Sequence, residues 1–221
     1  MTPHRRPLLQ DARYVLSAHR LRDLPPAGAP EVAFAGRSNA GKSSAINALA
    51  GRTRLAFVSK TPGRTQQINF FELTGGGYVV DLPGYGYAKV PHEVRAHWEE
   101  TLSGYLQNRN ALMAMVLIMD ARHPLTPLDE RMLDWFGITG RPVHILLTKS
   151  DKLTRREATA TLASVQAALA RRSQGHTAQL FSSLKRTGLE EAEARIAALF
   201  GRTREAQEEE SPMAAGHGAA E

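Results

Sequence analysis

The sequence predicts an α/β fold with three layers, in which helices cover both faces of a mostly parallel sheet that has one antiparallel edge strand. Two observations predict it. Short, nearly unbroken apolar segments, which are typical of strands buried on both faces, alternate with segments whose apolar residues recur at helical spacing. Polar, glycine-containing segments follow several of the apolar ones directly, where ligands of parallel sheets bind.

The predicted strands are short. Four apolar segments predict buried strands, at residues 32–35, 78–80, 112–119 and 143–147. Residues 69–73 suit a strand nearer the edge, because Glu72 interrupts the apolar pattern. A further strand is expected to end at Phe181.

Helical spacing of apolar residues predicts the helices between these strands. They lie around residues 94–105, 158–169 and 189–199, and a short helix is expected over 44–49. Strands that alternate with helices imply βαβ units with right-handed crossovers.

The length and composition favour one domain of ordinary size. The chain has 221 residues, of which 42% are hydrophobic, enough to build one core without disulfides or metals. We expect a loose N-terminal arm over residues 1–30, a domain over 31–200 and a disordered acidic tail over 201–221. The absence of cysteine excludes disulfides, thiolate zinc sites and cysteine nucleophiles. No apolar segment approaches the roughly 18 residues of a membrane span, and the N-terminus lacks the apolar stretch of a secretory signal, so we expect a cytoplasmic protein that does not bind membranes. We also expect a monomer.

The charge is unevenly distributed. The chain has a net charge of +6. Without the segment after Gly201, 26 basic and 17 acidic residues leave +9 on the body. Such a body suits a polyanionic partner, nucleic acid first, although a generally arginine-rich proteome would produce the same excess.

A phosphate-binding loop follows the first predicted strand. The pattern G-x-x-x-x-G-K-[ST] is matched by Gly36, Arg37, Ser38, Asn39, Ala40, Gly41, Lys42 and Ser43. Glycines let backbone N–H groups surround phosphate oxygens, and the following helix adds its positive end. In this pattern Lys42 reaches the β- and γ-phosphates and the Ser43 hydroxyl ligates Mg²⁺.

A second element belongs on the metal side of the same site. Asp81, Leu82, Pro83 and Gly84 follow the strand at 78–80. An Asp at a strand end can hold Mg²⁺, and the Gly84 N–H can sense a γ-phosphate. A capping Asp in a turn is the alternative.

The base-reading element follows the strand at 143–147 and consists of Thr148, Lys149, Ser150 and Asp151. A carboxylate there can accept hydrogen bonds from N1–H and N2–H₂ of guanine, which adenine lacks. The Lys149 stem can cover the face of the base. The alternative is that this segment only caps the following helix. The backbone N–H at the end of the next strand, in the triplet of Phe181, Ser182 and Ser183, could meet guanine O6.

These motifs resemble the EngB/YihA/YsxC family of bacterial ribosome-biogenesis GTPases. The resemblance covers about residues 31–200 and includes 36–44, 62–66, 81–88, 120–125, 148–151 and 181–185. It implies a P-loop GTPase domain that binds GTP and GDP, with Thr65 as the switch threonine that ligates Mg²⁺ together with Ser43 and Asp81. It adds Gly63, Arg64, Gln66 and Gln67 to the nucleotide site.

The resemblance also implies a role in assembly of the large ribosomal subunit, with ribosomal RNA as a partner. Asn39 resembles the phosphate-loop Asn of potassium-dependent GTPases, which makes K⁺ a further candidate cofactor. Two other functions stay open: a GTPase switch acting on a protein or septum partner, and an ATP-using P-loop enzyme, which would leave Asp151 unexplained.

The catalytic groups are expected to be Lys42, Thr65, Gly84 and Asn39. Many switch GTPases carry Gln directly after D-x-x-G, where this chain has Tyr85. A phenol cannot orient water as an amide does, so we expect slow intrinsic hydrolysis.

Two segments flank the expected γ-phosphate position, at residues 51–67 and 83–90. Their basic groups and their aromatics, Tyr85 and Tyr87, would suit RNA backbone and unstacked bases. The alternative is that these aromatics pack into the core. His144, inside a predicted strand, is expected to be a hydrogen-bonded core residue.

Overall fold

The computed structural model describes residues 8–52, 55, 67–86, 92–172 and 175–201, with the backbone alone described for 92–99. The strands of this part are β1 (Arg13–Ala18), β2 (Glu31–Gly36), β3 (Ile68–Glu72), β4 (Tyr78–Asp81), β5 (Leu112–Asp120), β6 (Val143–Thr148) and β7 (Thr177–Leu180). The helices are α1 (Lys42–Leu49), α2 (His92–Asn108), α3 (Pro127–Gly137), α4 (Arg155–Ala170) and α5 (Leu189–Leu199).

The strands form one sheet in the order β1-β3-β4-β2-β5-β6-β7. β2 pairs in parallel with β4 and β5, and the parallel pairing continues through β6 to β7. β3 runs against both of its neighbours, β1 and β4. The predicted fold class is confirmed, with β3 as the reversed strand one position inside the edge.

Helices cover both faces because successive side chains of a strand point to opposite sides. On β2, Val32 and Phe34 pack with the apolar residues of α1 and α5. Ala33 and Ala35 face the other way, into a cluster that contains apolar residues of α2, α3 and α4. The buried strands therefore show the unbroken apolar pattern of the sequence.

The N-terminal arm was predicted to be loose, and this is wrong for the part that the structure describes. Residues 13–18 form the edge strand β1, which pairs with β3. Leu9 and Ala12 are buried in the core, and the Arg52 guanidinium donates a hydrogen bond to the Ala12 carbonyl at 3.2 Å. Burial of these apolar groups holds the segment against the domain. The predicted tail lies outside the described residues, apart from Gly201.

An ion pair is buried at the amino end of β2. Glu31 is fully buried and accepts from Arg109 Nε at 2.9 Å and from the Tyr105 hydroxyl at 2.9 Å. Arg109 also donates to the Pro25 carbonyl at 2.8 Å. This cluster joins α2, β2 and the segment before β2, at the end of the sheet opposite the phosphate loop.

Within the part of the chain that the structure describes, no helix is both long and apolar enough to span a membrane.

Candidate functional site

The phosphate loop connects β2 to α1 and has the backbone conformation of an anion-binding nest. Asn39 and Gly41 have φ values of 64° and 100°, and left-handed residues in such a turn direct backbone N–H groups into a common concavity. A Cβ on Gly41 would lie 3.3 Å from Thr148 Oγ1. Glycine therefore meets both the backbone and the packing requirement there.

The lysine of this loop contacts the aspartate of the second motif. Lys42 Nζ forms an ion pair with Asp81 Oδ1, and the two side chains are only 11% and 9% exposed. Gly84 lies against the loop as well, since a Cβ there would be 3.3 Å from Ser38 Oγ. The elements expected to hold the γ-phosphate side of a nucleotide are thus adjacent.

The described oxygen groups on the γ-phosphate side of the site fit a magnesium ion. Ser43 lies in the first turn of α1, next to Lys42, and Asp81 ends β4. Hydroxyl and carboxylate oxygens are the ligands that Mg²⁺ takes beside phosphates and water. Thr65, the third expected ligand, lies outside the described residues, as do Gly63, Arg64 and Gln66.

The base-reading motif is bonded directly to the phosphate loop. The buried Thr148 hydroxyl donates to the Ala40 carbonyl and lies 3.0 Å from the Met119 carbonyl. Lys149 Nζ donates to the Asn39 carbonyl at 2.6 Å. These two side chains hold the motif at the carboxyl end of β6 against the loop at the carboxyl end of β2.

The Asp151 carboxylate is held by Ser182, which lies in the loop after β7. The Ser182 hydroxyl donates to Asp151 Oδ1 at 2.6 Å, and this hydrogen bond lowers the pKa of Asp151 below its usual value. The carboxylate therefore stays ionised at neutral pH, as a double acceptor must be.

The helix-capping alternative for Asp151 is wrong. The N-cap of α4 is Thr154, whose backbone N–H and hydroxyl each donate to Glu157 Oε2 at 2.8 Å. Asp151 lies in a separate 3₁₀ turn at Ser150–Lys152. Because Thr154 already serves as the cap, Asp151 is left for another role.

Two backbone N–H groups of the loop after β7 are hydrogen-bonded within the protein. The Phe181 N–H donates to the Leu147 carbonyl at 2.9 Å, and the Ser182 N–H donates to the Thr187 carbonyl at 3.0 Å. These two N–H groups are therefore already bonded within the protein, and the expected contact with guanine O6 stays a prediction for the third. Ser183 is the member of the triplet whose N–H takes no part in these bonds.

Asp120 bonds to the base-reading motif, a contact that motif reasoning did not predict. Its carboxylate accepts from Lys149 Nζ at 2.9 Å and from Arg122 Nε at 2.9 Å. Burial would raise its pKa, yet the hydrogen bonds from Arg122 and Lys149 outweigh this and hold the pKa of Asp120 below its usual range. The position of Asp120 at the end of β5, beside the end of β6, could have indicated this contact.

Several residues predicted for the nucleotide site pack into the core or bond to other parts of the protein. Leu82 and Pro83 are buried, and Leu82 packs into the core. Gln67 contacts His19 through its side chain, at the β1 side of the sheet. The Arg37 side chain bonds to Asp129 and to the His123 carbonyl.

Tyr85 is buried and does not serve as an exposed stacking platform. It is 5% exposed, and its hydroxyl donates to Asp129 Oδ1 at 2.9 Å. Burial, with the Asp129 charge beside it, raises the pKa of Tyr85 far above its usual value, so the phenol stays protonated. The RNA-stacking interpretation is wrong for Tyr85, while Tyr87 lies outside the described residues.

His144 is the hydrogen-bonded core residue that its position predicted. Its ring nitrogens lie 2.8 Å from Thr177 Oγ1 and 3.0 Å from Gln179 Oε1. Burial lowers the pKa of His144 to about 4, and the imidazole is therefore neutral at physiological pH.

Comparison with known proteins identifies the family. Residues 31–149 match the family model described as "50S ribosome-binding GTPase". A probable GTP-binding protein EngB from Thiobacillus denitrificans is 65% identical over 191 residues, which cover 86% of this chain and 92% of that protein. The corresponding protein of Aromatoleum aromaticum is 59% identical over 195 residues, or 88% and 90% of the two chains.

Solved structures show the same fold at low sequence identity. A crystal structure of a probable GTP-binding protein EngB has a TM-score of 0.60 at 21% identity, covering 77% of this chain and 98% of the other. A single-residue variant of Aquifex aeolicus Era bound to GDP and AlF₄⁻ has a TM-score of 0.61 at 19% identity, covering 78% and 56%. With a matching family model and close relatives over most of its length, the chain belongs to the EngB family of GTP-binding proteins, within the 50S ribosome-binding GTPases.

Proposed function

We propose that this chain is a molecular switch that binds GTP, hydrolyses it slowly to GDP and phosphate, and acts in assembly of the large ribosomal subunit. One observation carries the nucleotide part: the Thr148 and Lys149 side chains bond directly to the carbonyls of Ala40 and Asn39. Because the base-reading motif is bonded to the phosphate loop, the motif can bind the base of a nucleotide while the loop binds the phosphates of the same molecule.

The phosphate chain would lie over the loop and the start of α1. Lys42 would turn from Asp81 to the β- and γ-phosphates, and the first N–H groups of α1, which have no intrahelical partner, would bind phosphate oxygens. Ser43, Asp81 and Thr65 would hold Mg²⁺, which neutralises charge that develops on the transferred phosphoryl group.

Asp151 would select guanine. Its carboxylate accepts the Ser182 hydroxyl on one oxygen and keeps acceptor capacity for N1–H and N2–H₂ of the base. An adenine base would leave that capacity unsatisfied, which is the physical basis of strong rejection. This accounts for Asp151, which an ATP-using enzyme would leave without a role.

A competition experiment tests the nucleotide assignment. We expect GTP and GDP, but not ATP, to displace a fluorescent guanine nucleotide from the native protein, and Asp151→Ala to lose most of this binding. Asp134→Ala is the control, because Asp134 is exposed on α3 and pairs only with Arg172 among the described residues. Equal displacement by ATP and GTP would refute the assignment.

We expect slow hydrolysis because the residue after Gly84 is Tyr85. The Tyr85 hydroxyl is engaged with buried Asp129, so it is not free to orient an attacking water.

Asn39, which is exposed on the phosphate loop, is our candidate to hold K⁺ beside the phosphates. Faster turnover in K⁺ than in Na⁺ buffer, lost in Asn39→Ala, is expected; equal turnover in both buffers would remove K⁺ from the proposal.

The ribosomal role is supported by the description of the family model and by the net charge of +9 on the body. Binding through basic side chains to RNA phosphates weakens as salt rises. We expect co-sedimentation with large ribosomal subunits that is stronger with GTP than with GDP and falls with salt. Absence of co-sedimentation in either nucleotide would favour a protein or septum partner.

A further inference from the structure

Asp129, on the first turn of α3, is a fully buried carboxylate that no predicted motif contains. Both of its oxygens lie 3.2 Å from Arg37 Nε. Oδ1 also accepts from the Tyr85 hydroxyl at 2.9 Å, and Oδ2 accepts from the Thr126 N–H at 3.0 Å and the Thr126 hydroxyl at 2.8 Å. We call Arg37, Tyr85, Thr126 and Asp129 the Asp129 cluster.

The Asp129 cluster joins two parts of the site to the start of α3. Arg37 is the second residue of the phosphate loop, and its Nη2 donates to the His123 carbonyl at 3.0 Å. Tyr85 directly follows Gly84, and Thr126 with Asp129 begins α3. A buried charge with several hydrogen-bond partners resists rearrangement, because loss of any partner leaves polar groups unsatisfied.

The backbone of Tyr85 is fixed to the phosphate loop as well. Tyr85 forms a bridge with Arg37, in which the Ser38 N–H donates to the Tyr85 carbonyl at 3.0 Å and the Tyr85 N–H donates to the Gly36 carbonyl at 3.3 Å. Gly84 is held between this bridge and Asp81. The position of the Gly84 N–H therefore depends on where Tyr85 lies.

Gly86, the residue after Tyr85, lies close to Leu128 on the surface of α3. A Cβ on Gly86, where φ is 85°, would lie 2.8 Å from Leu128 Cδ1. Leu128 is 40% exposed, so a movement of residues 84–86 would change both the cluster and an exposed part of the first turn of α3.

The chain contains the same chemistry a second time, far from the nucleotide site. Tyr105, Glu31 and Arg109 repeat the phenol, buried carboxylate and guanidinium arrangement at the amino end of β2. Glu31 precedes the phosphate loop by the whole length of that strand. This second cluster has the stabilising role of the first without its connection to Gly84, which makes it a matched control.

We propose that Asp129 is a positioning residue of the nucleotide switch: through Tyr85 it holds the Gly84 N–H against the phosphate loop and couples that segment to α3. The proposal rests on the proposed function, because Gly84 is taken to meet the γ-phosphate. Asp129 would then affect GTP, which has a γ-phosphate, differently from GDP. It would leave recognition of the base, which Asp151 provides, unchanged.

The experiment compares Tyr85→Phe with Tyr105→Phe in the full chain. Each variant loses one hydroxyl that donates to a buried carboxylate. Dissociation constants for GDP and for a non-hydrolysable GTP analogue are measured by calorimetry, and thermal stability is measured in parallel. We expect Tyr85→Phe to change the ratio of the two constants by about tenfold, the equilibrium effect of one hydrogen bond to a charged group. Tyr105→Phe should keep the ratio within about twofold while it lowers stability.

A second variant keeps the test decisive. Asp129→Asn should change the ratio in the same direction as Tyr85→Phe, and the double variant should change it no further than the larger single change, because both act through one bond. An unchanged ratio in Tyr85→Phe with GDP binding retained would overturn the proposal, as would equal changes in Tyr85→Phe and Tyr105→Phe. Failure of the native protein to bind guanine nucleotides would instead refute the proposed function.

Discussion

Replacing Thr148 by valine tests how the base-reading motif is joined to the phosphate loop. Valine keeps the branching and nearly the size of threonine and replaces the hydroxyl with a methyl group. That hydroxyl is buried, donates to the Ala40 carbonyl and lies 3.0 Å from the Met119 carbonyl. Thr148→Val therefore leaves the sheet intact and removes one connection between β6 and the loop.

The size of the effect follows from the burial of both groups. Thr148 and Ala40 are 2% and 3% exposed, so water cannot replace the lost donor without a rearrangement. A lost hydrogen bond with an unsatisfied buried acceptor costs about 2 kcal/mol. In a protein of this length that lowers Tm by about 4–8 °C.

The same change should weaken nucleotide binding. Asn39 and Ala40 belong to the turn that directs N–H groups at phosphate, and a turn that is less well held pays more to order itself on binding. We expect the Kd for GDP to rise about three- to tenfold, or about 0.7–1.4 kcal/mol.

Thermal unfolding and calorimetric titration with GDP are the assays, and Thr139→Val is the matched control. Thr139 also donates through its hydroxyl to a carbonyl, that of Phe136 at 2.7 Å, at the far end of α3 from Asp129. The control should lose some stability and bind GDP like the native protein. The reasoning is refuted if Thr148→Val unfolds within about 1 °C of the native protein, or if it binds GDP no more weakly than Thr139→Val.

Three further predictions concern other described contacts. Ser182→Ala removes the 2.6 Å hydrogen bond to Asp151 and should weaken GDP binding about tenfold in titration calorimetry, whereas unchanged affinity would show that Asp151 needs no support. His144, whose pKa burial lowers to about 4, takes up a proton near pH 6.5 only when the chain unfolds. The free energy of unfolding should therefore fall between about pH 6.5 and pH 4, by about 3 kcal/mol in all, and urea titrations should show a smaller decrease in His144→Gln. Glu31→Gln removes the countercharge of Arg109 at a fully buried position, so urea unfolding should show a loss of about 3 kcal/mol, and a loss below about 1 kcal/mol would mean that the pair is not the stabilising contact.

Local patterns predicted most of the elements. The apolar segments at 32–35, 78–80, 112–119 and 143–147 became β2, β4, β5 and β6, each within one residue of its prediction at both ends. Such strands are covered on both faces, so their composition alone distinguishes them.

β1 escaped prediction because its stability comes from a distant strand. Only one of its six residues, Ala18, is buried, so the apolar pattern of residues 13–18 is weak. Pairing with β3 and the burial of Leu9 and Ala12 hold this segment. None of these contacts is local in sequence.

The sequence by itself determined the fold class, the strands of the central sheet and the motif residues, because each of these depends on spacing along a few neighbouring residues. Only the tertiary structure decided that Thr148 and Lys149 bond to the phosphate loop, that Thr154 rather than Asp151 caps α4, and that Tyr85 is buried against Asp129. The physical reason is that a side-chain hydrogen bond depends on distance and direction in space. Arg37 and Asp129 lie 92 positions apart along the chain, and their contact arises only when β2, β5 and α3 pack together.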